Sequence, residues 1–162
     1  VGFWTYTTKV DDLVVTDSGG RPVRRTSRGA YLLAERTLLR EEGSPVRHLA
    51  GFFRLSFNDA DSTPIQYAIN LGLRLRAPFR EREDDIVGIA YSHAHLGDKY
   101  RDAERLAGNA TTSAEEALEI TYRFQISDAV AVQPVFQHIR HPGGDPALAA
   151  AKIVGARLEL SF

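Results

Sequence analysis

Few residues in this chain have types and spacing suited to covalent or metal chemistry. His93 and His95 stand two apart, so on a strand they share a face and could offer two imidazoles to a metal. Two imidazoles without a third nearby ligand make a poor site, and interfacial histidines are the simpler reading. His138 and His141 flank the start of a loop and read as solvated. Ser56 or Ser92 would have to meet a histidine in space to form a hydrolase, but no nucleophile-elbow sequence surrounds either. There is no cysteine, which excludes thiol nucleophiles, thiolate metal sites and disulfides. No catalytic residue, metal or cofactor is expected. Asn109-Ala110-Thr111 fits a glycosylation pattern that is common by chance.

What remains is hydrogen-bonding chemistry. Arg54, Arg74, Arg123, Arg157, Glu119, Glu159, Gln66, Asn70, Gln125, Gln133 and Gln137 all lie within alternating segments, each on the polar side. Such groups on a rigid wall can trade hydrogen bonds with the hydration shell of a polar solute. Arginine suits this because its planar donors stay charged and match pairs of hydroxyls. The blander reading pairs arginine and glutamate across neighbouring strands merely to satisfy their charges.

These side chains need strands to hold them. In Ile65–Arg76, Ile65, Tyr67, Ile69, Leu71, Leu73 and Leu75 share one face, while Gln66, Ala68, Asn70, Gly72, Arg74 and Arg76 share the other. A period of two over this length marks a strand. The pattern recurs in Leu118–Ile126, Ile153–Phe162 and Leu49–Asn58, where Phe52 interrupts the polar face. Val1–Lys9, Ala30–Arg40, Ile86–Leu96 and Val130–Arg140 alternate less cleanly, and Pro134 weakens the last as a central strand. This predicts about eight antiparallel strands. Tyr100–Ala107 and Ala147–Lys152 are the only helical candidates, and both read as loop. Val10–Gly29, Asp59–Pro64, Gly97–Ala114 and His141–Ala151 fall at one end of an up-and-down arrangement. Glu41–Val46, Ala77–Asp85 and Ser127–Ala129 fall at the other, mostly as short turns. Arg80–Asp85 reads as a solvated turn.

Alternation alone does not say which face is wet. A soluble barrel of lipocalin type turns its apolar face inward, whereas a membrane barrel turns it outward. Strands of about ten residues suit a tilted bilayer crossing. The apolar face is expected to carry aromatic girdles from Trp4, Tyr6, Tyr31, Phe57 and Phe162. These features favour the membrane, with Ile69, Leu71, Leu73, Ile120, Tyr122, Phe124, Leu158 and Leu160 facing lipid. A mid-strand arginine facing lipid would cost about 2–4 kcal/mol, so the arginines belong inside.

Composition sets the outer limits. The 162 residues suffice for one domain, and a net charge of −1 gives no sign of a nucleic-acid partner. No apolar run is long enough for a transmembrane helix, and no signal peptide is visible. The chain opens without methionine on Val1-Gly2-Phe3-Trp4, which suggests a fragment or a processed product.

Several segments together resemble the carbohydrate-selective porin family, often called OprB. They are Gly2–Thr7, Arg28–Glu35, Leu49–Arg54, Arg82–Tyr91 and Glu119–Tyr122, followed by Val132-Gln133-Pro134, His138–Gly144 and the closing strand to Phe162. The order of Arg-x-Asp-Asp, Gln-Pro and Pro-Gly-Gly before a terminal Phe is the most specific part. The resemblance covers essentially the whole chain and corresponds to the C-terminal half of family members. It implies an all-β, antiparallel up-and-down transmembrane barrel of sixteen strands, of which one domain over residues 1–162 supplies about eight. It further implies the outer membrane of a Gram-negative bacterium, passive diffusion of glucose-like sugars, outer-membrane lipids as neighbours, and room for a homo-oligomer. A small structural outer-membrane barrel and a soluble ligand-binding barrel are the alternatives. The fragment is expected either as an open, strongly curved sheet with two unpaired edges, the favoured form, or as a strained small barrel closed on itself.

Overall fold

The computed structural model describes residues 1–161. Eight strands form one sheet in sequence order, every neighbouring pair antiparallel. They are β1 (Gly2–Thr16), β2 (Pro22–Arg40), β3 (His48–Asn58), β4 (Ile65–Arg76), β5 (Ile86–Leu96), β6 (Ala114–Ser127), β7 (Val130–Arg140) and β8 (Ala151–Leu160). No ladder joins β1 to β8 among the described residues, so the sheet is open, as expected. Phe162, expected to close the last strand and its aromatic girdle, lies outside the described residues.

Register fixes the faces. Arg54 pairs with Asn70 and Arg74 pairs with Gly88, so the polar positions of β3, β4 and β5 line up on one side. Side chains from β2 through β7 on that side border a common hollow, so the sheet curls toward its polar face. The convex face is apolar and open: Leu71, Leu73, Ile120, Phe124, Leu158 and Leu160 are exposed, while Ile69 and Tyr122 are half-buried by neighbours. The apolar residues that are fully buried among those described are small or peripheral, namely Ala50, Ala77, Leu96, Ala114 and Ala131. A soluble barrel would pack its large apolar side chains inside. This arrangement is the reverse, and it is that of a membrane wall.

Three expectations need correction. First, Val10–Gly29 is not a long loop. β1 and β2 run on as a hairpin past the end of β3, whose last residue, Asn58, faces Gly29. Asp17 closes the turn by accepting from the N–H groups of Gly19 and Arg21 at 2.8 and 2.9 Å, with Gly20 at φ 77°. The hairpin carries charge on both faces because it projects beyond the rest of the wall, and this hid its periodicity.

Second, Tyr100–Ala107 is not loop but most of a helix, α1 (Asp98–Leu106). Asp98 favours its N-terminal turn, Arg105 and Asp102 pair one turn apart at 2.7 Å, and Gly108 ends it at φ 85°. Ala147–Ala150 is loop, and β8 begins at Ala151.

Third, Trp4, Tyr6 and Tyr31 are not on the convex face. Tyr31 pairs with Ser56, which shares the side of Arg54, and its ring covers Gly2. Trp4 lies against Gly29 and its ring is 5.2 Å from that of Tyr6. Parity, not hydrophobicity, decides the side of a strand residue. Phe57 does lie outward, 6.4 Å from Tyr67.

Candidate functional site: the concave wall

The hollow on the concave face measures about 490 Å³. Arg54, Arg74, Glu119, Arg123 and Gln133, all expected from sequence, border it together. Leu33, Glu35, Phe52 and Thr121 border it too, and sequence reasoning missed them as site residues. Phe52 had shown as a break in the polar face. Glu35 lay in a strand whose apolar pattern was too loose to assign a side.

Each arginine is held differently. Arg74 Nη2 donates to Glu35 Oε1 at 2.8 Å, reaching across β3, and both side chains remain more than half exposed. Arg123 Nε donates to Glu159 Oε2 at 2.9 Å, and its Nη1 donates to Gln125 at 2.5 Å. Arg54 makes no ion pair among the described residues; its guanidinium lies 5.6 Å from the Phe52 ring centre. That ring in turn lies against Gly72, where a Cβ would come within 2.5 Å of it. Glycine at this position therefore makes room for an aromatic surface inside the wall.

The other expected residues lie on the same face but away from the hollow. Gln137 donates to Glu119 at 2.5 Å. Arg157 pairs in register with Gln133 and is exposed, with no ion pair among the described residues. Gln66 is exposed near the loop rim, and Asn70 is half-buried beside Arg54. Gln125 lies at the turn rim with Arg76, which pairs with Asp84 at 2.7 Å. The wall thus mixes paired charges with donors left free to the hollow. His93 and His95 are elsewhere, on the convex face, stacked about Tyr67.

Both rims are tied by buried carboxylates. In the projecting hairpin, Asp12 has no exposed side-chain surface and accepts from Arg25 Nε at 2.8 Å and Lys99 Nζ at 2.7 Å. Lys99, on α1, also reaches Asp61 at 2.8 Å. Burial works to raise the Asp12 carboxyl, but Lys99, the N–H groups of Val15 and Val14, and Arg25 together hold it well below the usual carboxylate range. This anchors α1 to the β1–β2 hairpin.

A wall with an apolar convex face and a polar hollow can pass polar solutes along its inner side without covalent chemistry. The comparisons with known proteins say which family builds it. The model of the carbohydrate-selective porin, OprB family, matches residues 1–162. The chain belongs to this family. It is 23% identical to Porin B of Pseudomonas aeruginosa over 184 residues, covering 100% of the chain and 40% of that protein. It is 24% identical over 147 residues to the "Putative porin QuiX" of Acinetobacter baylyi, covering 82% of the chain and 34% of that protein. The fold matches a high-pH structure of Pseudomonas putida OprB with a TM-score of 0.89, at 21% identity, over 99% of the chain and 43% of that structure. The OprB chain spans less than half the length of these relatives.

Proposed function

We propose that this OprB chain is part of the wall of an outer-membrane pore through which glucose-like sugars and other small polar solutes diffuse passively. The observation that carries the reading is the partition of the sheet: free and paired hydrogen-bonding side chains face a hollow, and large apolar side chains face out. Arg54 is the residue best placed to meet a passing hydroxyl pair, because no carboxylate neutralises it and Phe52 offers the apolar face of a sugar ring a surface beside it. Arg74 with Glu35, and Arg123 with Glu119 and Gln133, supply donors and acceptors along the rest of the hollow.

The two free edges bear on how the wall works. In hydrocarbon each orphan backbone group costs several kcal/mol, so an open sheet is not a working form. Further strands of the same longer protein, giving sixteen in all, close the barrel in this reading. The test is solute flux into liposomes carrying the full-length protein. Uptake of glucose faster than that of a sugar too large for the pore is expected. Liposomes no more permeable to glucose than protein-free ones would sink the proposal.

A further inference from the structure

The convex face of β5–β8 changes character sharply along its length. One hydrogen-bonded row of outward residues, Ile89, Ile120, Phe136 and Val154, is wholly apolar. The next row toward the loop rim is Tyr91, Leu118, His138 and Lys152, and the row beyond it is His93, Glu116 and Arg140. Toward the turn rim the outward positions of the same strands, Val87, Tyr122, Phe124, Val132 and Leu158 among them, carry no charge. The outward charges of these strands are therefore confined to one end.

Within this band the charges are arranged, not scattered. Glu116 accepts from Tyr91 Oη at 2.7 Å and forms an ion pair with Arg140 Nη1 at 3.0 Å, with His93 Nδ1 at 3.7 Å. Glu116 thus fixes the Arg140 guanidinium while leaving it 60% exposed, with donors still free. Lys152 is exposed on the neighbouring strand, diagonal to Arg140, and has no ion pair among the described residues. Between them the Nδ1 of His138 is buried and unpartnered. At the edge of a lipid-facing apolar surface, Lys152 lacks an anion and Arg140 keeps donors that Glu116 does not use.

We infer that Arg140 and Lys152 form a docking site for a phosphorylated lipid headgroup in the leaflet at the loop rim. The inference rests on the membrane placement proposed above and adds a lipid site to it. Charge complementarity selects the occupant. Acyl chains lie along Ile120, Phe136 and Val154, and the phosphate they carry meets the cations one row higher. Glu116 is the positioning residue, since it orients Arg140 and touches no lipid.

The test uses the full-length protein in nanodiscs of phosphatidylcholine containing a small share of bis-phosphorylated lipid A or its phosphate-free form. Lipids retained on the protein are counted by native mass spectrometry. Preferential retention of the phosphorylated form is expected, falling roughly thirtyfold in Arg140→Gln/Lys152→Gln, on the scale of two cations at a membrane surface. An unchanged preference in the double variant overturns the site. Should that variant fail to insert, Lys152→Gln alone is expected to lose about fivefold, and no loss overturns the site. Displacement of the lipid by low-millimolar inorganic phosphate would make this a free-anion site and overturn the lipid assignment. A crosslink joining Lys152 of two copies would put a second chain there and overturn it too. Sugar flux in the same preparations reads the pore separately, so retained lipid without flux sinks the pore and leaves this site standing.

Discussion

Asp85 at the turn rim and Asp12 at the loop rim are both buried carboxylates set among cations, yet they hold different things together. Asp85 accepts from Arg82 at 2.8 and 2.9 Å, from Tyr122 Oη at 2.6 Å and from the Gln125 N–H at 2.9 Å. Arg82 is three residues away, and Tyr122 and Gln125 sit on β6, which pairs with β5 next to the turn. This knot reinforces strands that already share a ladder. Asp12 instead joins β1, β2 and α1, and its partner Lys99 is 87 residues distant. Apart from the bond between the Leu13 N–H and the Asp61 carbonyl, side chains do most of the joining there. A knot on top of a ladder secures the barrel. A knot in place of a ladder positions a loop.

The most forceful way to test this contrast is Asp85→Ala. It strands Arg82, Tyr122 and a backbone N–H in a site where the carboxylate had about 1% exposure. Breaking a buried pair by removing one partner typically costs about 3–5 kcal/mol. The urea midpoint of the refolded full-length barrel in micelles is expected to drop accordingly. An unchanged midpoint would mean that the β5–β6 ladder alone secures the rim.

The counterpart, Asp12→Ala, is expected to leave that midpoint nearly unmoved. It removes the acceptor of two cations and of the Val14 and Val15 N–H groups, a loss of about 3–5 kcal/mol by the same rule, confined to the hairpin and α1. The effect should appear as faster proteolysis and hydrogen exchange in residues 97–113 and in the β1–β2 hairpin. If the midpoint falls as far as in Asp85→Ala, the two rims do not differ in kind.

How far the sequence revealed these regions follows the same division. Where one face meets lipid and the other a polar hollow, alternation is forced, and Ile65–Arg76 or Leu118–Ile126 could be read directly, with Arg74 and Arg123 on the correct side. Where a segment leaves the wall, both faces meet water and the period vanishes. That is why the hairpin around Asp12 read as loop and α1 went unrecognised. Inside the wall the rule fails where the concave face accepts apolar groups, as at Tyr31, Leu33 and Phe52. Arg36, conversely, falls on the outer side of β2, opposite Gly51. Asp12 and Asp85 looked like ordinary loop acids because burial comes from partners far along the chain or across a strand.

A smaller and more selective test is Lys99→Ala. It keeps Asp12 paired with Arg25 but removes the contact of α1 with both Asp12 and Asp61. The residual Asp12–Arg25 pair limits the cost to about 1 kcal/mol, the scale of a single hydrogen bond. Expected are greater protease sensitivity at 97–113, an unchanged hairpin, and noisier single-channel current if α1 borders the mouth. Quiet current with a freed helix would place α1 away from the solute path.

Acidification gives the finest comparison, because it reaches both knots without mutation. At Asp85, burial works to raise the carboxyl, but Arg82, Tyr122 and the Gln125 N–H hold it below the usual range, as the partners of Asp12 do at the other rim. A carboxylate depressed in the folded state contributes stability that is fully present above its unfolded pKa, about 3.8, and is lost as pH falls through the lower folded value. Between pH 7 and 5 neither rim should change. Below about pH 4 both knots begin to lose their contribution, but with separate readouts. Hydrogen exchange at 97–113 should rise steadily, whereas the turn at 77–85 should stay protected until the strands themselves loosen, because its ladder survives protonation. Exchange rising equally at both rims at the same pH would show that Asp85 is holding its turn in the way Asp12 holds α1, and the distinction between the rims would fail.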